Sequence, residues 1–407
     1  MTTIVGVFLF LILVPLALLV LYQWTLAAIA IFTRKYIALE TNYAATNRFL
    51  VLVPAHNEEL CLNSTLISIQ SARYPRHLVQ TVVIADRCTD KTVSIARQMG
   101  VECLERNTGQ AGKGSAIAWA LDEIKQQGAT FDSLVILDAD TMIDPGLFEA
   151  FTKALVAGYQ VQQGYCYISN PWQSIFTRII AVTSVMRNGL FYAGKAGAGL
   201  PGMLAGTGMC FSRAIMDRYG WTAFSVGEDW EFSATLLLAG EKIFFNPLAR
   251  VFQLESVGMQ QASRQRLRWA GGRHAVVGNS VWSLVKKGVR DRSGYLLDAA
   301  LTLFAPNYSS QAALSLLAVG GAWFLRADPV WGSLLPWSIG VFLGLAAYFL
   351  LGVAFTEAPI KALCGIVLIP IFLPWRLVIE ILGLLGYGRG KWFRTARISA
   401  SRKSKGH

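Results

Sequence analysis

The sequence predicts an α/β domain built on a doubly wound sheet and bracketed by membrane helices. Three observations predict it: an uncharged apolar run at the amino end, an alternation of strand-like and helix-like segments over about 47–278, and a second apolar concentration after residue 304. With 54% hydrophobic residues, 12% aromatic residues and a mean hydropathy of +0.43, the 407-residue chain carries more apolar surface than one soluble core normally buries.

From Ile4 to Phe32 there is no charged residue, which exceeds the ~20 residues that cross a ~30 Å hydrocarbon core. The run is too long for a cleaved signal peptide and lacks a basic start. Arg34 and Lys35 follow it, so the positive-inside rule places the next segment in the cytoplasm and the amino terminus outside. Arg389, Lys391, Arg394, Arg397, Arg402, Lys403 and Lys405 place the tail on the cytoplasmic side too. That requires an even number of carboxyl-terminal crossings. The runs 305–325 and 334–355 are therefore expected to cross. The run 362–386, which carries Pro370, Pro374, Arg376 and Glu380, is expected to be interfacial or re-entrant. Four crossings with an external tail is the alternative. The expected units are 1–35, 47–278, interfacial helices at 279–304, membrane and interfacial helices at 305–388, and a basic tail at 389–407.

The net charge of +12 sits largely beside these segments, where basic residues meet anionic headgroups of membrane lipids. No interleaved basic and aromatic pattern points to nucleic acid, and no such partner is expected. Cys61, Cys88, Cys103, Cys166, Cys210 and Cys364 form no Cys-x-x-Cys and no ligand cluster with the four histidines, so reduced thiols are expected.

Within the central region, 49–53 is an apolar strand stopped by Pro54, 65–71 a helix and 81–85 a β-branched strand. Next come a helix at 91–99 closed by Gly100, a helix at 115–125, and a buried strand at 134–137. Strands separated by helices argue for parallel βαβ units, and such sheets bind ligands beyond the carboxyl ends of their strands. Polar residues follow each strand: Ala55-His56-Asn57-Glu58-Glu59, then Asp86-Arg87-Cys88-Thr89-Asp90, then Asp138-Ala139-Asp140. Asp90 stands where a helix begins and suits a cap; His56 suits packing or a loop. Asp86 has no such local duty and can accept the imide hydrogen of a uracil. Glu58 suits either a nucleoside or simple solvation. In extended geometry Asp138 and Asp140 point to one side. Two adjacent carboxylates repel unless a cation intervenes, and a hard divalent ion with a diphosphate is the natural occupant.

Downstream lie Glu228-Asp229 and Gln265-x-x-Arg268-Trp269. On a helix the latter three share a face; the arginine and indole form either a cation–π surface feature or a site for phosphate and a stacked ring. Two glycine runs resemble nucleotide loops. In Gly109-Gln110-Ala111-Gly112-Lys113-Gly114-Ser115, Asn107 stands where a Walker sequence needs glycine, yet Lys113 can still approach a phosphate at the helix start. Gly197-Ala198-Gly199-Leu200-Pro201-Gly202 follows no clear strand and contains proline, so no dinucleotide site is expected there. The glycine- and alanine-rich stretch between Asn188 and Cys210 suits either tight packing or an acceptor pocket.

Pro54-Ala55-His56-Asn57-Glu58, Asp86, Asp138-Ala139-Asp140, Glu228-Asp229 and Gln265-x-x-Arg268-Trp269, in that order and bracketed by membrane helices, resemble the membrane-integrated family 2 glycosyltransferases. These include cellulose, chitin, hyaluronan and poly-N-acetylglucosamine synthases and ceramide glucosyltransferases. The resemblance implies a GT-A (Rossmann-like) domain at the cytoplasmic face of the plasma (inner) membrane in a multi-pass chain. It implies inverting transfer from a UDP-sugar donor. Ala55, Glu58, Asp86, Lys113 and Asp138 would bind the nucleotide sugar, and Asp138 and Asp140 would address Mg2+ or Mn2+. Asp229, with Glu228 beside it, would be catalytic. Gln265, Arg268, Trp269, Gly206, Thr207, Gly208 and Cys210 would line the acceptor and diphosphate. The acceptor would be a growing polysaccharide, or else a membrane lipid, with export partners or a homo-oligomer left open. The sequence departs from the processive synthases in lacking a threonine before Glu228-Asp229 and any gating-loop motif after Trp269, so single-sugar transfer stays open beside polymer synthesis.

Overall fold

The computed structural model describes residues 2–33 and 45–388, so Arg34, Lys35 and the basic segment 389–407 lie outside the described residues. After the long helix α1 (Thr2–Thr33) come β1 (Phe49–Ala55), α2 (Leu62–Gln70), β2 (Val79–Asp86), α3 (Thr92–Gln98), β3 (Glu102–Arg106), α4 (Lys113–Gln126) and β4 (Ser133–Ile136). Then follow β5 (Thr141–Ile143), α5 (Leu147–Val156), β6 (Val161–Ile168), α6 (Ile175–Ser184), a π-helical segment (Val185–Tyr192), α7 (Ala193–Gly197), β7 (Met209–Ser212), α8 (Arg213–Tyr219), α9 (Glu228–Leu238) and β8 (Ile243–Gln253). The chain continues through α10 (Met259–Arg290), α11 (Gly294–Phe304), α12 (Tyr308–Phe324), α13 (Leu334–Ala354), α14 (Pro359–Leu363), a 3-10 turn (Cys364–Leu368) and α15 (Ile369–Leu384).

One eight-stranded sheet runs in the order β3-β2-β1-β4-β7-β6-β8-β5. Its first four strands are parallel, as the alternation predicts. Three of them, β1, β2 and β4, are the expected strands and read as largely apolar runs because both faces are covered: Leu50, Leu52, Val82 and Ile84 enter one core, and Phe49, Val51, Val53 and Val83 the other. The edge strand β3 is polar at Glu102, Glu105 and Arg106 and carries no such signal. Pro54 does not stop β1, which continues to Ala55. Leu52 shares its orientation and accepts from Leu137 N at 3.0 Å, so the amide hydrogen that proline lacks falls on the β4 side, beyond the last paired residue Ile136. Gly100 closes α3 with φ +68°.

The second half is mixed rather than parallel. β7 runs antiparallel to β4 and β6, β5 antiparallel to β8, and β6 parallel to β8. β6 has no apolar signature because it buries Gln162 and Gln163. Gln163 Nε2 donates to Thr207 O at 2.9 Å and its Oε1 accepts from Ala205 N at 2.7 Å, which satisfies an otherwise costly buried amide. A register shift falls at Gly164/Tyr165, where a Cβ on Gly164 would lie 2.6 Å from Ala249 O.

The membrane candidates differ from expectation. Among the described residues, three runs are long and apolar enough to cross a bilayer by length and composition: Thr2–Thr33, Leu334–Ala354 and Pro359–Leu384. The run 305–325 shortens to α12, 17 residues, because Asn307 accepts from Ser310 N and caps the helix there. At ~1.5 Å per residue it falls short of a ~30 Å core. The run 359–384 stays helical but not uniformly so: it tightens to the 3-10 turn Cys364–Leu368 just before Pro370, which lies in the first turn of α15, and Arg376 Nη2 pairs with Glu380 Oε1 at 2.8 Å one turn on. The expected boundary at 278/279 falls inside α10, which is continuous. The glycines of α7 serve helix packing: a Cβ on Gly194 would lie 2.1 Å from Leu26 O of α1, and one on Gly197 2.3 Å from Thr33 Oγ1.

Replacing Gly164 with alanine should force the bulge off Ala249 O and cost about 1–3 kcal/mol. The expected readout is a melting temperature in detergent lower by several degrees; an unchanged one would show that the strand junction absorbs a methyl group.

Candidate active site

The carboxyl ends of β1, β2 and β4 converge as expected. Asn57 and Arg87, which follow β1 and β2, both take positive φ, 56° and 52°, and the two turns are laced together. Asn57 Oδ1 accepts from Thr89 N at 2.7 Å, and His56 Nδ1 lies 2.7 Å from Asp86 O. Asp90 Oδ1 accepts from Thr92 N at 2.9 Å, so it does meet the first turn of α3, with Lys91 at the cap position. Glu58 is half-buried, its backbone N donating to Thr92 Oγ1 at 2.8 Å. Ala55 is buried at the end of β1.

Asp86 is 2% exposed. Its Oδ1 accepts from Arg87 Nη1 at 2.7 Å and Arg106 Nη1 at 2.9 Å, whereas its Oδ2 is buried with no hydrogen-bond partner among the described residues. An orphaned carboxylate oxygen is costly. The same arginines fasten the glycine loop, Arg106 Nη2 donating to Gln110 O at 2.6 Å and Arg87 to Gly109 O. Neither arginine stands out in the sequence, where each reads as surface charge.

Asp138-Ala139-Asp140 does not continue β4 in extended form. The strand ends at Ile136, and Thr141 N donates to Asp138 O at 3.0 Å, so the three residues form a turn and strand alternation does not govern their carboxylates. Ala139 is buried and its carbonyl accepts from Thr65 Oγ1 at 2.8 Å. Asp138 N contacts the buried Thr207 Oγ1 at 3.0 Å.

Lys113, the first residue of α4, joins this turn to the acidic pair at the start of α9. Its Nζ lies 2.6 Å from Asp138 Oδ1 and 3.4 Å from Glu228 Oε1, and it donates to Gly206 O. Burial works to lower the Lys113 pKa, but Asp138 and Glu228 outweigh it and hold the ammonium charged. Burial first, then the Glu228 carboxylate, push Asp229 up to about 7, while Lys113, the Trp230 N–H and Arg187 oppose the rise. Arg187 comes from the π-helical segment, a geometry frequent at functional sites, and nothing in the sequence flags it. Gly206 has φ +81°, and a Cβ there would lie 3.5 Å from Lys113 Nζ and 3.6 Å from Asp229 Oδ2. Only a residue tolerant of positive φ fits between them.

Lys113, Asp138, Glu228, Asp229, Gly206 and Thr207 therefore form one cluster. Gly208, φ +66°, borders it and packs on Val251. Cys210 is not part of it: it is fully buried on β7 in the sheet core, where burial raises its thiol pKa. Gln265, Arg268 and Trp269 lie on α10, which approaches the cluster at Gly272, where a Cβ would lie 3.0 Å from Gly227 N. Trp269 is 44% exposed, and its cation–π partner is Arg266 at 5.7 Å rather than Arg268.

Among the described residues no group of three or more His, Cys, Asp or Glu gathers as a metal cage. Asp138 and Asp140 supply hard oxygen donors on one turn. Such a pair fits Mg2+ or Mn2+, which takes one or two carboxylates and completes its shell with substrate phosphates and water.

Known proteins resemble this chain in sequence and fold. The family described as Glycosyltransferase like family 2 matches residues 46–272. A Bacillus subtilis (strain 168) relative named "Probable glycosyltransferase YdaM" is 26% identical over 237 residues, 56% of this chain and 55% of its own length. A poly-beta-1,6-N-acetyl-D-glucosamine synthase of Staphylococcus epidermidis is 28% identical over 247 residues, 58% of this chain and 57% of its own. The chain thus spans little more than half the length of the curated relatives it matches. The mannosyltransferase PcManGT of Pyrobaculum calidifontis, solved with GDP-Man and Mn2+, superposes with a TM-score of 0.57 at 20% identity, over 91% of this chain and 99% of that one. That likeness establishes the GT-A fold. The matched segment holds the whole sheet, the Lys113 cluster and Gln265 to Trp269, and it exceeds half of the chain: the chain belongs to the family 2 glycosyltransferases.

Proposed function

We propose that this chain is a membrane-bound inverting glycosyltransferase that moves a sugar from a UDP-sugar to a growing extracellular polysaccharide. In this reading Thr2–Thr33, Leu334–Ala354 and Pro359–Leu384 are membrane spans, and the sheet domain works at the cytoplasmic face of the plasma membrane. The observation that carries it is the Lys113 bridge, which brings Asp138 and the Glu228-Asp229 pair to one ammonium group. A lysine at a helix start suits a diphosphate, and a buried carboxylate poised near neutrality suits a base.

In the transfer, the acceptor hydroxyl oxygen bonds to the anomeric carbon and its proton passes to Asp229. The bond from that carbon to the diphosphate breaks, and its electron pair leaves on UDP. Lys113 counters the charge growing on the leaving group. Asp138 and Asp140 would hold Mg2+ or Mn2+, which neutralises diphosphate charge when bound. Gln265, Arg268 and Trp269 would line the acceptor end.

In this reading the choice of uracil as donor base is supported by Asp86. With Oδ1 held by two arginines, the orphaned Oδ2 offers one acceptor, matching the single imide N–H of uracil. Guanine presents two adjacent donors and would leave one unmatched. The polysaccharide acceptor is supported by the activity named for the Staphylococcus relatives.

Asp229→Asn is expected to lower transfer about 100-fold or more while sparing UDP affinity; persistent transfer would remove Asp229 from the role. Because Asp229 is raised to about 7, its active, ionised form is lost as pH falls. kcat/KM should therefore climb about tenfold per unit below about pH 7 and level off above it.

Asp86→Asn should weaken UDP binding about tenfold or more, and GDP should compete poorly with UDP in the unsubstituted protein. Equal competition by GDP would sink the uracil assignment.

Incubation in native lipids with radiolabelled UDP-sugars should put label into polymer, and EDTA should abolish donor binding. Organic-soluble label would identify a lipid acceptor instead, and metal-independent binding would overturn the Asp138 and Asp140 assignment.

A further inference from the structure

The segment of α10 that carries Gln265, Arg268 and Trp269 is held on two faces by close contacts at glycines. On one face stands α15: a Cβ on Gly383 would lie 2.6 Å from Ala270 Cβ, 3.0 Å from Ala270 C and 3.1 Å from Gly271 N. Gly388, just beyond α15 with φ +85°, makes a similar approach, 2.6 Å from Leu267 O. On the other face, Gly272 meets Gly227, which immediately precedes Glu228 and Asp229. Arg273 adds a cation–π contact, 5.4 Å from the Trp230 ring.

α15 is pinned in turn. Glu380 accepts from Arg376 Nη2 at 2.8 Å and from Nδ2 of Asn307, the cap of α12, at 2.7 Å, with His274 Nε2 of α10 at 3.4 Å. A row of short contacts thus runs from an apolar carboxyl-terminal helix through α10 to the first turn of α9. Packed backbones transmit a displacement rather than absorb it, and a 1 Å misplacement can cost up to about 100-fold in rate.

We propose that α15 sets the position of the Glu228-Asp229 pair through α10, which makes Gly383 a positioning residue for sugar transfer. The proposal rests on the reading of Asp229 as the base. A methyl group on Gly383 drives Ala270, and with it Gly272 and Gly227, toward the site. Donor binding at Asp86 lies outside this row of contacts and is left alone.

The test uses the full-length protein in native lipids. Gly383→Ala is expected to lower kcat about tenfold or more, with UDP affinity within about twofold of the unsubstituted protein. Adding Ala270→Gly removes the methyl group that the new side chain strikes, and should restore most of kcat. Ala270→Gly alone opens a gap instead of a clash, so it keeps the proposal testable if Gly383→Ala does not fold; it should lower kcat severalfold. Leu384→Ala, on the exposed face of α15, should change nothing. Unchanged kcat in both single variants overturns the proposal, as does a loss that tracks UDP affinity and resists rescue. If Asp229→Asn retains transfer while the alanine–glycine exchange behaves as described, the coupling stands and a different base receives it. If Asp229→Asn is dead and the exchange is silent, the coupling alone falls.

Discussion

The ion pair between Lys113 and Asp138 is the constraint on which the site depends. Four ionisable groups, Lys113, Asp138, Glu228 and Asp229, crowd a space lined by Gly206 and Thr207. Burial first, and then the Glu228 carboxylate, raise the Asp229 pKa, and the single ammonium of Lys113 offsets them only in part. A diphosphate would add further negative charge to this space, and the proposed function meets it with a divalent cation on the oxygens of the Asp138 turn. Charge balance, donor binding and the tuning of Asp229 are therefore parts of one electrostatic problem.

Close backbone approach is the second constraint, because it fixes where those charges stand. Gly164 lets β6 bend past Ala249, Gly194 seats α7 on Leu26 of α1, and Gly272 lets α10 touch the start of α9. The first two approaches are short enough to exclude a Cβ, and the third, at 3.0 Å, would have to give way to admit one. The sheet domain and the apolar helices are consequently one packed body, with Lys195 of α7 paired to Asp298 of α11 at 2.6 Å inside the seam. Burial lowers the Lys195 pKa and Asp298 opposes the fall, so the pair is kept by its geometry rather than by favourable solvation.

Legibility in the sequence followed local physics. Three of the four parallel strands could be read because burial on two faces demands apolar residues, as in Phe49 to Val53 and Leu134 to Ile136, whereas the polar edge strand Glu102–Arg106 gave no such signal. Lys113 could be read because glycines precede it at a helix start. β6 could not, since Gln162 and Gln163 are satisfied by partners far along the chain. The turn of Asp138-Ala139-Asp140 was hidden for a related reason: strand alternation assumes that β4 goes on, and its length is set by β1 and β7 rather than by its own residues. Arg106 and Arg187 act through space on acids far from them in the sequence.

The helix face of Gln265, Arg268 and Trp269 shows how a local ambiguity is resolved by a neighbour. An arginine beside a tryptophan suits either a surface cation–π pair or a substrate platform, and the two looked exclusive. The structure assigns the cation–π contact to Arg266, whose guanidinium also faces Phe176 and pairs with Glu255 at 3.0 Å. One face of the indole is thereby occupied and its orientation fixed, which spares a ligand part of the entropy of ordering it. Trp269 remains nearly half exposed, and no described side chain pairs with Arg268. Both properties that a ring-bearing, charged ligand needs are therefore available on the same turn of α10, because a different arginine has taken the structural duty.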